Sequence, residues 1–261
     1  GLDSLVMAFR ILGIGEGDEV IVCSNAYIAC VMGITINGAT PVFVEPDEYL
    51  NIDAKKIEQV ITSKTKAILA VHLFGQCCDM NTIMKIAHRH SLKVVEDCAQ
   101  AHGNTFDSAK AGSFGDISCF SFYPSKGCGA FGDAGALCTN NSSYDQIARI
   151  IRNYGSEKRY ENKLVGMNSR LDELQAGLLR IKLKHLDEMN NEREALASHY
   201  NSNLNNPCII KPTIRPLSNS SWHQYVVRCK ERDLLQRYLA DHGIGSLIHY
   251  PIPPHLSEAY S

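Results

Sequence analysis

Apolar positions in the first hundred residues switch repeatedly between helical and strand spacing. Residues 2–12 carry apolar side chains three and four positions apart, which predicts a helix ended by Gly13, and the run "DEVIVCS" predicts a strand. The alternation continues with a helix in "AYIACVMGITING", a strand in "TPVFVEP", an Asp-capped helix in "DAKKIEQVIT", a strand in "TKAILAVHLFG", a helix in "DMNTIMKIAHRHS" and a strand in "LKVVEDCAQA". Apolar strands that alternate with helices predict an α/β fold with a mainly parallel sheet flanked by helices.

The pattern changes after Gly103. The segments "GSFGDISCFSFYP" and "DAGALCTNN" predict two short strands on either side of a glycine-rich stretch. A long helix is predicted from Ser169, with Ser169 and Asp172 as a capping pair. One apolar stripe runs along this helix and consists of Leu171, Leu174, Leu178, Ile181 and Leu186.

The polar segment "NSNLNNP" around residue 204 marks an expected domain boundary. It divides a large α/β domain, residues 1–204, from a smaller C-terminal α/β domain, residues 205–261. In the second part, "HQYVVRC" predicts a strand, "RDLLQRYLADHGI" a helix ended by Gly243, and "GSLIHYPIPP" a strand. A helical pattern begins at once at Gly1 and the chain stops soon after a proline turn, so we expect an interior piece of a longer protein with a truncated small domain.

Composition and charge exclude several classes of partner. With 44% hydrophobic and 21% charged residues, the 261 residues are typical of a soluble globular protein rather than a disordered one. The formal net charge of -2 gives no basic field, so we predict no nucleic-acid and no membrane partner. No apolar run is long enough to span a bilayer and no signal peptide is evident, so we expect a cytoplasmic protein.

The ten cysteines lie mostly in apolar runs such as "VIVCSN" and "ISCFSF". In a chain of this length they indicate buried thiols in a reducing compartment rather than a disulfide framework. The adjacent pair Cys77 and Cys78 lacks the spacing of a zinc or cluster site, so no metal site is predicted.

Asp97 and Lys126 are the first candidates for chemistry, because each follows a predicted strand and ligands collect at the carboxyl ends of strands in open α/β sheets. On these two residues alone, an ion pair is the simpler explanation. The alternative is that a partly buried lysine forms a Schiff base with an aldehyde, while a carboxylate keeps a ring nitrogen protonated. Those are the demands of pyridoxal 5'-phosphate (PLP).

A PLP site also needs a phosphate cradle and a surface for the ring. The helix start at Gly1–Ser4 offers free backbone N–H groups and a positive dipole end, and Ser121 adds a hydroxyl. Tyr27, in a turn after a strand, is placed either to stack on the ring or to pack as an ordinary core tyrosine.

Taken together, the chain resembles the PLP-dependent aminotransferases of nucleotide-sugar biosynthesis, the DegT/StrS type of fold type I. The resemblance covers essentially the whole chain and rests on "GDEVIV", "PVFVEPD", "HLFGQ", "VVEDCAQAHG", "SFYPSK", "GDAGAL", "RNYGS", "NSRLDELQA" and "HYPIPPH". It implies a PLP-dependent transferase fold with Lys126 as the Schiff-base lysine, Asp97 on the pyridine nitrogen and Gln100 near the phenolic oxygen. It also implies Tyr27 against the ring, and Gly1, Leu2 and Ser121 on the phosphate.

The resemblance further implies a homodimer with shared active sites. Asn168, in "NSRLDE", would reach the partner's phosphate, and the loop "RNYGSEKRYENKLVGMNSRLDE" would cross the subunit boundary, although its residues alone read as a solvated loop. Tyr123, His249 and Tyr250 are expected near the sugar. A histidine before Pro251 has a simpler role as a hydrogen-bonded turn residue.

The implied activity is transfer of an amino group from L-glutamate to a nucleotide-linked keto-deoxysugar. The motifs are most similar to members that aminate dTDP-3-keto-6-deoxyhexoses, giving dTDP-3-amino-3,6-dideoxyhexoses for surface polysaccharide (O-antigen or lipopolysaccharide) or natural products. Amination of a 4-keto sugar nucleotide, and a catalytically idle PLP-binding regulatory protein, remain open. Members of the family usually have asparagine and leucine after the lysine, whereas Gly127 and Cys128 stand here, so we expect a looser backbone and an altered cofactor geometry.

Overall fold

Alternating strands and helices dominate the first half of the chain, as the apolar pattern predicts. The structure is a computed structural model that describes residues 1–260. The strands are β1 (Glu19–Cys23), β2 (Thr40–Val44), β3 (Thr65–Val71), β4 (Lys93–Asp97), β5 (Thr105–Phe106), β6 (Ala109–Lys110), β7 (Ile117–Ser121), β8 (Gly135–Cys138), β9 (Ser156–Lys158) and β10 (Glu161–Asn162). The helices are α1 (Leu2–Ile11), α2 (Ile28–Thr35), α3 (Ala54–Ile57), α4 (Met80–Arg89), α5 (Ser142–Ile151), α6 (Glu173–Lys184), α7 (Leu186–Asn203) and α8 (Arg232–Asp241).

Six strands form the central sheet in the order β2-β1-β3-β4-β7-β8. All neighbours pair in parallel except β7 and β8, which are antiparallel. The reversal agrees with the connections, because a helix precedes β2, β3 and β4, whereas residues 122–134 between β7 and β8 contain no helix. A mainly parallel sheet aligns the carboxyl ends of β3, β4 and β7 at one edge, which is where such sheets bind ligands.

Side chains on successive strand positions enter two separate apolar cores. Val20 and Val22 of β1 pack in one core with α1 and α2, and Ile21 and Cys23 pack in the other with α3 and α4. This division follows from the two-residue period of a strand. Both faces of the sheet are therefore covered, which explains why the strands are apolar throughout.

Of the two helix caps predicted from the sequence, one forms and the other does not. Asp53 caps α3 by accepting from the Lys55 N–H at 3.1 Å, as predicted. The predicted capping pair of Ser169 and Asp172 does not form. Asp172 precedes α6 without a side-chain capping bond, and Ser169 Oγ donates to Asp3 Oδ2 at 2.7 Å.

The long helix predicted from Ser169 is two helices, α6 and α7, which meet at His185. Only part of its apolar stripe lies against the core of this subunit, because Leu186 is buried whereas Leu174 and Ile181 are 85% and 59% exposed. Leu179 and Leu186 are the buried leucines of this region. Periodicity marked the helix, but it did not identify the buried face.

The region after α7 differs from the prediction. α7 ends at Asn203, beside the predicted boundary, and α8 coincides with a predicted helix. The strands predicted in residues 223–229 and 245–254 do not form, since within residues 205–260 the backbone makes only isolated bridges such as Ile210 with Arg228. The division into domains at residue 204 stays a prediction. α5 and the short hairpin of β9 and β10 were not predicted.

Seven of the ten cysteines are buried and all ten are free thiols, as the apolar runs predict. Cys138 and Cys208 are exposed and Cys229 is half-buried. In the part of the chain that the structure describes, no helix is both long and apolar enough to cross a membrane.

Candidate active site

A cavity of about 490 Å³ opens where β3, β4 and β7 end. Its volume is within the ~300–1,000 Å³ typical of small-molecule sites. Ten of the eleven predicted site residues line it, namely Gly1, Leu2, Tyr27, Asp97, Gln100, Ser121, Tyr123, Lys126, His249 and Tyr250. Sequence distance is no guide to this grouping, because the fold brings five separate segments together at one edge of the sheet.

Lys126 lies in the turn that follows β7. Its backbone N–H donates to the Tyr123 carbonyl at 2.8 Å, so the turn fixes the point from which the side chain starts. Burial lowers the pKa of the Lys126 amine, and the nearby Asp97 and Cys30 oppose that shift. A lowered pKa increases the fraction of neutral amine, which is the form that attacks a carbonyl carbon.

Asp97 is the last residue of β4 and is 6% exposed. Its Oδ1 accepts from the Ala99 N–H at 3.0 Å and its Oδ2 accepts from Cys30 Sγ at 3.1 Å. Asp97 and Lys126 do not form an ion pair, since the Lys126 Nζ atom is more than 4.0 Å from either carboxylate oxygen of Asp97. The simple ion-pair explanation therefore does not account for these two residues, which face a shared cavity instead.

The start of α1 lies against Ser121 at the end of β7. A Cβ atom on Gly1 would lie 2.7 Å from Ser121 Cβ and 2.8 Å from Ser121 Oγ, so only glycine fits here. The first N–H groups of a helix have no partner within the helix, and they carry its positive dipole end. A hydroxyl and free N–H groups at one corner of the cavity make an anion-binding arrangement.

Aromatic and amide side chains form the wall opposite the sheet edge. The Tyr27 ring packs on the Tyr250 ring with centroids 5.1 Å apart and is 48% exposed, so it is not an ordinary core tyrosine. Gln100 bridges two segments, because its Oε1 accepts from the Phe74 N–H and its Nε2 donates to Tyr250 Oη at 3.3 Å. Burial raises the pKa of Tyr250 to about 12, so its hydroxyl stays protonated.

The cavity lining also includes residues that were not predicted from the sequence, among them His223, Gln224 and Cys30. His223 and Gln224 line the cavity, and Gln224 Nε2 lies 2.7 Å from His249 Nε2. Burial and the charge of Lys126 lower the pKa of His223 to about 3, so this imidazole is neutral. Both residues lie in "HQYVVRC", which was predicted as a strand, and that prediction gave no reason to place them in the site. The third is Cys30, whose apolar helical context gave no sign of a polar contact.

Asn168 is the one predicted site residue outside the cavity. It lies in a neighbouring pocket of about 640 Å³ that shares Gly1 and Leu2 with the cavity. Its Oδ1 accepts from Arg170 Nε at 2.9 Å, and its backbone bridges to Asn153. Its predicted contact with a second subunit stays a prediction.

The two unusual residues after the lysine have distinct surroundings. Cys128 is 1% exposed and packs with Leu179 and Leu186, away from the cavity lining. Gly127 lies over His102, since a Cβ there would be 3.8 Å from His102 Cβ and Nδ1, which is ordinary contact. Burial lowers the pKa of His102 to about 4, and neither ring nitrogen of this buried side chain has a hydrogen-bond partner.

His72, Glu96 and Cys98 form a buried cluster whose donor atoms lie close enough to ligate a metal. The ligand atoms of the first two are already engaged. The Cys78 N–H donates to His72 Nδ1 at 3.1 Å, so the ring hydrogen is on Nε2 and points at Glu96 Oε2, 2.9 Å away. Glu96 also accepts from the N–H groups of Gly112, Phe114 and Gly115. This cluster is a hydrogen-bonded support for a loop.

Comparison with known proteins agrees with this geometry. All of residues 1–261 match the family described as the DegT/DnrJ/EryC1/StrS aminotransferase family. The chain belongs to the DegT/DnrJ/EryC1/StrS aminotransferase family. The resemblance noted in the motifs is thereby confirmed, and so is the predicted fold class.

Members of this family that are similar to the chain include two transaminases. One, from Aneurinibacillus thermoaerophilus, is a dTDP-3-amino-3,6-dideoxy-alpha-D-galactopyranose transaminase, 54% identical over 262 residues that cover 100% of this chain and 72% of the relative. Another, from Streptomyces venezuelae, is a dTDP-3-amino-3,4,6-trideoxy-alpha-D-glucose transaminase, 46% identical over 263 residues that cover 100% of this chain and 69% of the relative.

A solved structure in the family superimposes closely. The crystal structure of S. venezuelae DesV in complex with a ketimine intermediate has a TM-score of 0.97 and 46% identity, and the match covers 99% of this chain and 70% of DesV. The order of strands in the central sheet described above is therefore part of an aminotransferase fold that is established in this family.

Proposed function

We propose that the protein is a PLP-dependent aminotransferase that moves an amino group from L-glutamate to a nucleotide-linked keto-deoxysugar. The observation that carries the proposal is the arrangement of Lys126 and Asp97. A half-buried amine with a lowered pKa and a buried carboxylate face one cavity from neighbouring strand ends without pairing with each other. The transaminases and the DesV complex named above support the same chemistry.

The residues present fit PLP. Gly1 is confined by Ser121 so that a side chain would fill the anion-binding corner, and Asp97 has one protein donor on each oxygen, which leaves lone pairs for a ring N–H. Gly1, Leu2 and Ser121 would hold the phosphate. Asp97 would hold the ring nitrogen, Gln100 would approach the phenolic oxygen and Tyr27 would cover one ring face.

When bound, PLP supplies an aldehyde that takes up an amine and a ring that withdraws electrons from the adjacent carbon. Lys126 would hold the cofactor, and its neutral amine would move a proton at the carbon that gives up or receives the amino group. Asp97 would keep the ring nitrogen protonated. Burial of these groups strengthens each charge interaction, because little water screens them.

Replacement of Lys126 tests the proposal. Lys126→Ala should remove both the visible absorbance of the lysine-bound cofactor and amino transfer from glutamate, because no other lysine lines the cavity. Lys85→Ala is the matched control, since Lys85 is exposed on α4 and lies outside the cavity. An unchanged spectrum in Lys126→Ala would refute the assignment. Wild-type absorbance without amino transfer would favour the idle regulatory protein.

For the sugar, we propose a dTDP-3-keto-6-deoxyhexose as substrate and its 3-amino-3,6-dideoxy derivative as product, for surface polysaccharide or a natural product. The two transaminases named above support the 3-position. Tyr123, His249 and Tyr250 line the cavity and are the proposed sugar contacts. Incubating the enzyme with glutamate and either the 3-keto or the 4-keto dTDP-6-deoxyhexose, and measuring 2-oxoglutarate, decides between the two positions. Turnover of only the 4-keto sugar would overturn this assignment.

We propose that the active form is a homodimer with shared sites, located in the cytoplasm. Support comes from the exposed apolar side chains of α6 and the preceding loop, where Val165 is 88% and Leu174 is 85% exposed. Mixing inactive Lys126→Ala with inactive Asn168→Ala protein tests the sharing. Hybrid dimers should regain activity, because one site of the two then has both residues. A mixture that stays inactive while exchange is demonstrated by labelled subunits would contradict it.

A further inference from the structure

Cys30 makes a polar contact that its apolar surroundings did not suggest. Its Sγ lies 3.1 Å from Asp97 Oδ2, and the two side chains are 2% and 6% exposed. Cys30 is in the first turn of α2 and lines the same cavity as Asp97. The contact joins residues 67 positions apart, so the fold and not the local sequence creates it.

The thiol is the donor in this contact. Burial, followed by the charge of Asp97, raises the pKa of Cys30 well above the usual range, so the S–H group stays protonated. An ionised carboxylate only accepts hydrogen bonds. Because Cys30 is near the start of α2, Asp97 also lies near the positive end of that helix dipole, which favours its charge.

The two hydrogen bonds on Asp97 constrain the carboxylate from both sides. The Ala99 N–H holds Oδ1 and the Cys30 S–H holds Oδ2, so rotation of the carboxylate would break at least one bond. A carboxylate oxygen has two acceptor positions, so Oδ2 keeps one for a group inside the cavity. Removing the thiol would leave Asp97 held by a single protein donor.

We propose that Cys30 is a positioning residue for the cofactor, whose S–H group holds Asp97 in the orientation that binds the protonated ring nitrogen. The proposal rests on the proposed function, because it requires PLP in the cavity. It differs from a packing role. Cys119 lines the same cavity and is equally buried, and no hydrogen bond joins it to a carboxylate. Cys119 is therefore the matched control.

Cofactor binding to the variants separates positioning from packing. Dissociation constants for PLP and for 1-deaza-PLP, which has C–H in place of the ring nitrogen, are measured by equilibrium dialysis with wild type, Cys30→Ala, Cys30→Ser and Cys119→Ala. Cys30→Ala should weaken PLP binding about three- to tenfold, the effect of one lost hydrogen bond. It should leave 1-deaza-PLP binding unchanged, because that analogue has no N–H for Asp97 to hold.

The remaining variants complete the test. Cys30→Ser keeps a donor and should recover most of the PLP affinity, whereas Cys119→Ala should bind both compounds as wild type does. Equal weakening of both compounds by Cys30→Ala would mean a packing role and would overturn the proposal, as would unchanged PLP binding. If wild type binds neither compound, the proposed function fails first and this proposal with it. If wild type binds both and only the Cys30 result differs from expectation, the proposed function stands.

Discussion

Glu96 and Asp97 are adjacent carboxylates at the end of β4, and they face opposite sides of the sheet. Glu96 is fully buried and accepts from His72 and from three backbone N–H groups. Asp97 accepts from one backbone N–H and one thiol and lines a cavity. Glu96, whose oxygens accept four hydrogen bonds from the protein, stabilises the fold. Asp97, whose oxygens accept only two, has acceptor positions left for a ligand.

The hydrogen bonds of Glu96 hold a loop that precedes β7. Gly112, Phe114 and Gly115 donate to Glu96, so this side chain closes the loop that leads into β7. β7 in turn carries Ser121 and leads to Lys126. We infer that the Glu96 side fixes the path of the chain, while the Asp97 side meets the cofactor. Substitutions on each side of the sheet test that division.

Glu96→Gln should lower the free energy of unfolding by about 3 kcal/mol, which is the typical cost of removing one partner from a buried network of charged groups. The amide nitrogen cannot accept from the loop N–H groups, so buried donors lose their partner. Urea unfolding measures the loss, with Glu58→Gln as an exposed control. A change below about 1 kcal/mol would contradict the structural role of Glu96, since that is the cost of a single ordinary hydrogen bond.

Gly115→Ala should cost about 2 kcal/mol, as overpacking of a tight site does. A Cβ at this position would lie 2.6 Å from the Val94 carbonyl oxygen, on the Glu96 side. The control is Gly127→Ala on the Lys126 side, where the nearest atoms would be 3.8 Å away, so its effect should stay within about 0.5 kcal/mol. Thermal unfolding of both variants measures the difference, and equal losses would show that the two sides do not differ in packing.

Acid should destabilise the protein partly through Glu96. Burial alone would raise the pKa of Glu96, but the hydrogen bonds from His72, Gly115 and Gly112 outweigh it and lower the pKa. Its stabilising contribution is therefore present above the usual glutamate value of 4.5 and is lost as the pH falls through the lower folded-state pKa. Unfolding free energy measured from pH 6 downward, in steps of about one pH unit, should fall less steeply in Glu96→Gln than in wild type. If the free energy of unfolding falls equally steeply with pH in wild type and in Glu96→Gln, Glu96 does not contribute to the acid sensitivity.

Asp97→Asn should change stability least, by less than about 1 kcal/mol, because an amide oxygen still accepts one of the two hydrogen bonds. Its effect should appear in cofactor chemistry instead. Asp97 raises the pKa of Lys126, so removal of its charge should lower that pKa further. The pH dependence of the rate at which the apoprotein takes up PLP measures the shift, because only the neutral amine attacks the aldehyde. A large loss of stability with an unchanged pH dependence of this rate would mean that Asp97 is a structural residue like Glu96.

Sequence reasoning found most of the parallel sheet and ten of the residues that line the cavity. It found Lys126 and Asp97 because both follow apolar strands. It missed His223, Gln224 and Cys30, since their neighbours are apolar and their polar contacts come from distant segments. The apolar stripe on α6 did not tell which of its side chains are buried, because Leu174 and Ile181 satisfy the helical period and yet are exposed.

The order of strands and helices up to β4, the family and the candidate lysine and carboxylate could all be predicted from the sequence. Those features depend on local periodicity and on motifs, which a linear chain displays directly. The fold was needed to show that the oxygens of Glu96 accept four hydrogen bonds, that Asp97 keeps an open acceptor and that Cys30 donates to it. Such properties depend on which atoms meet across the sheet, and the spacing of residues along the chain does not contain that information.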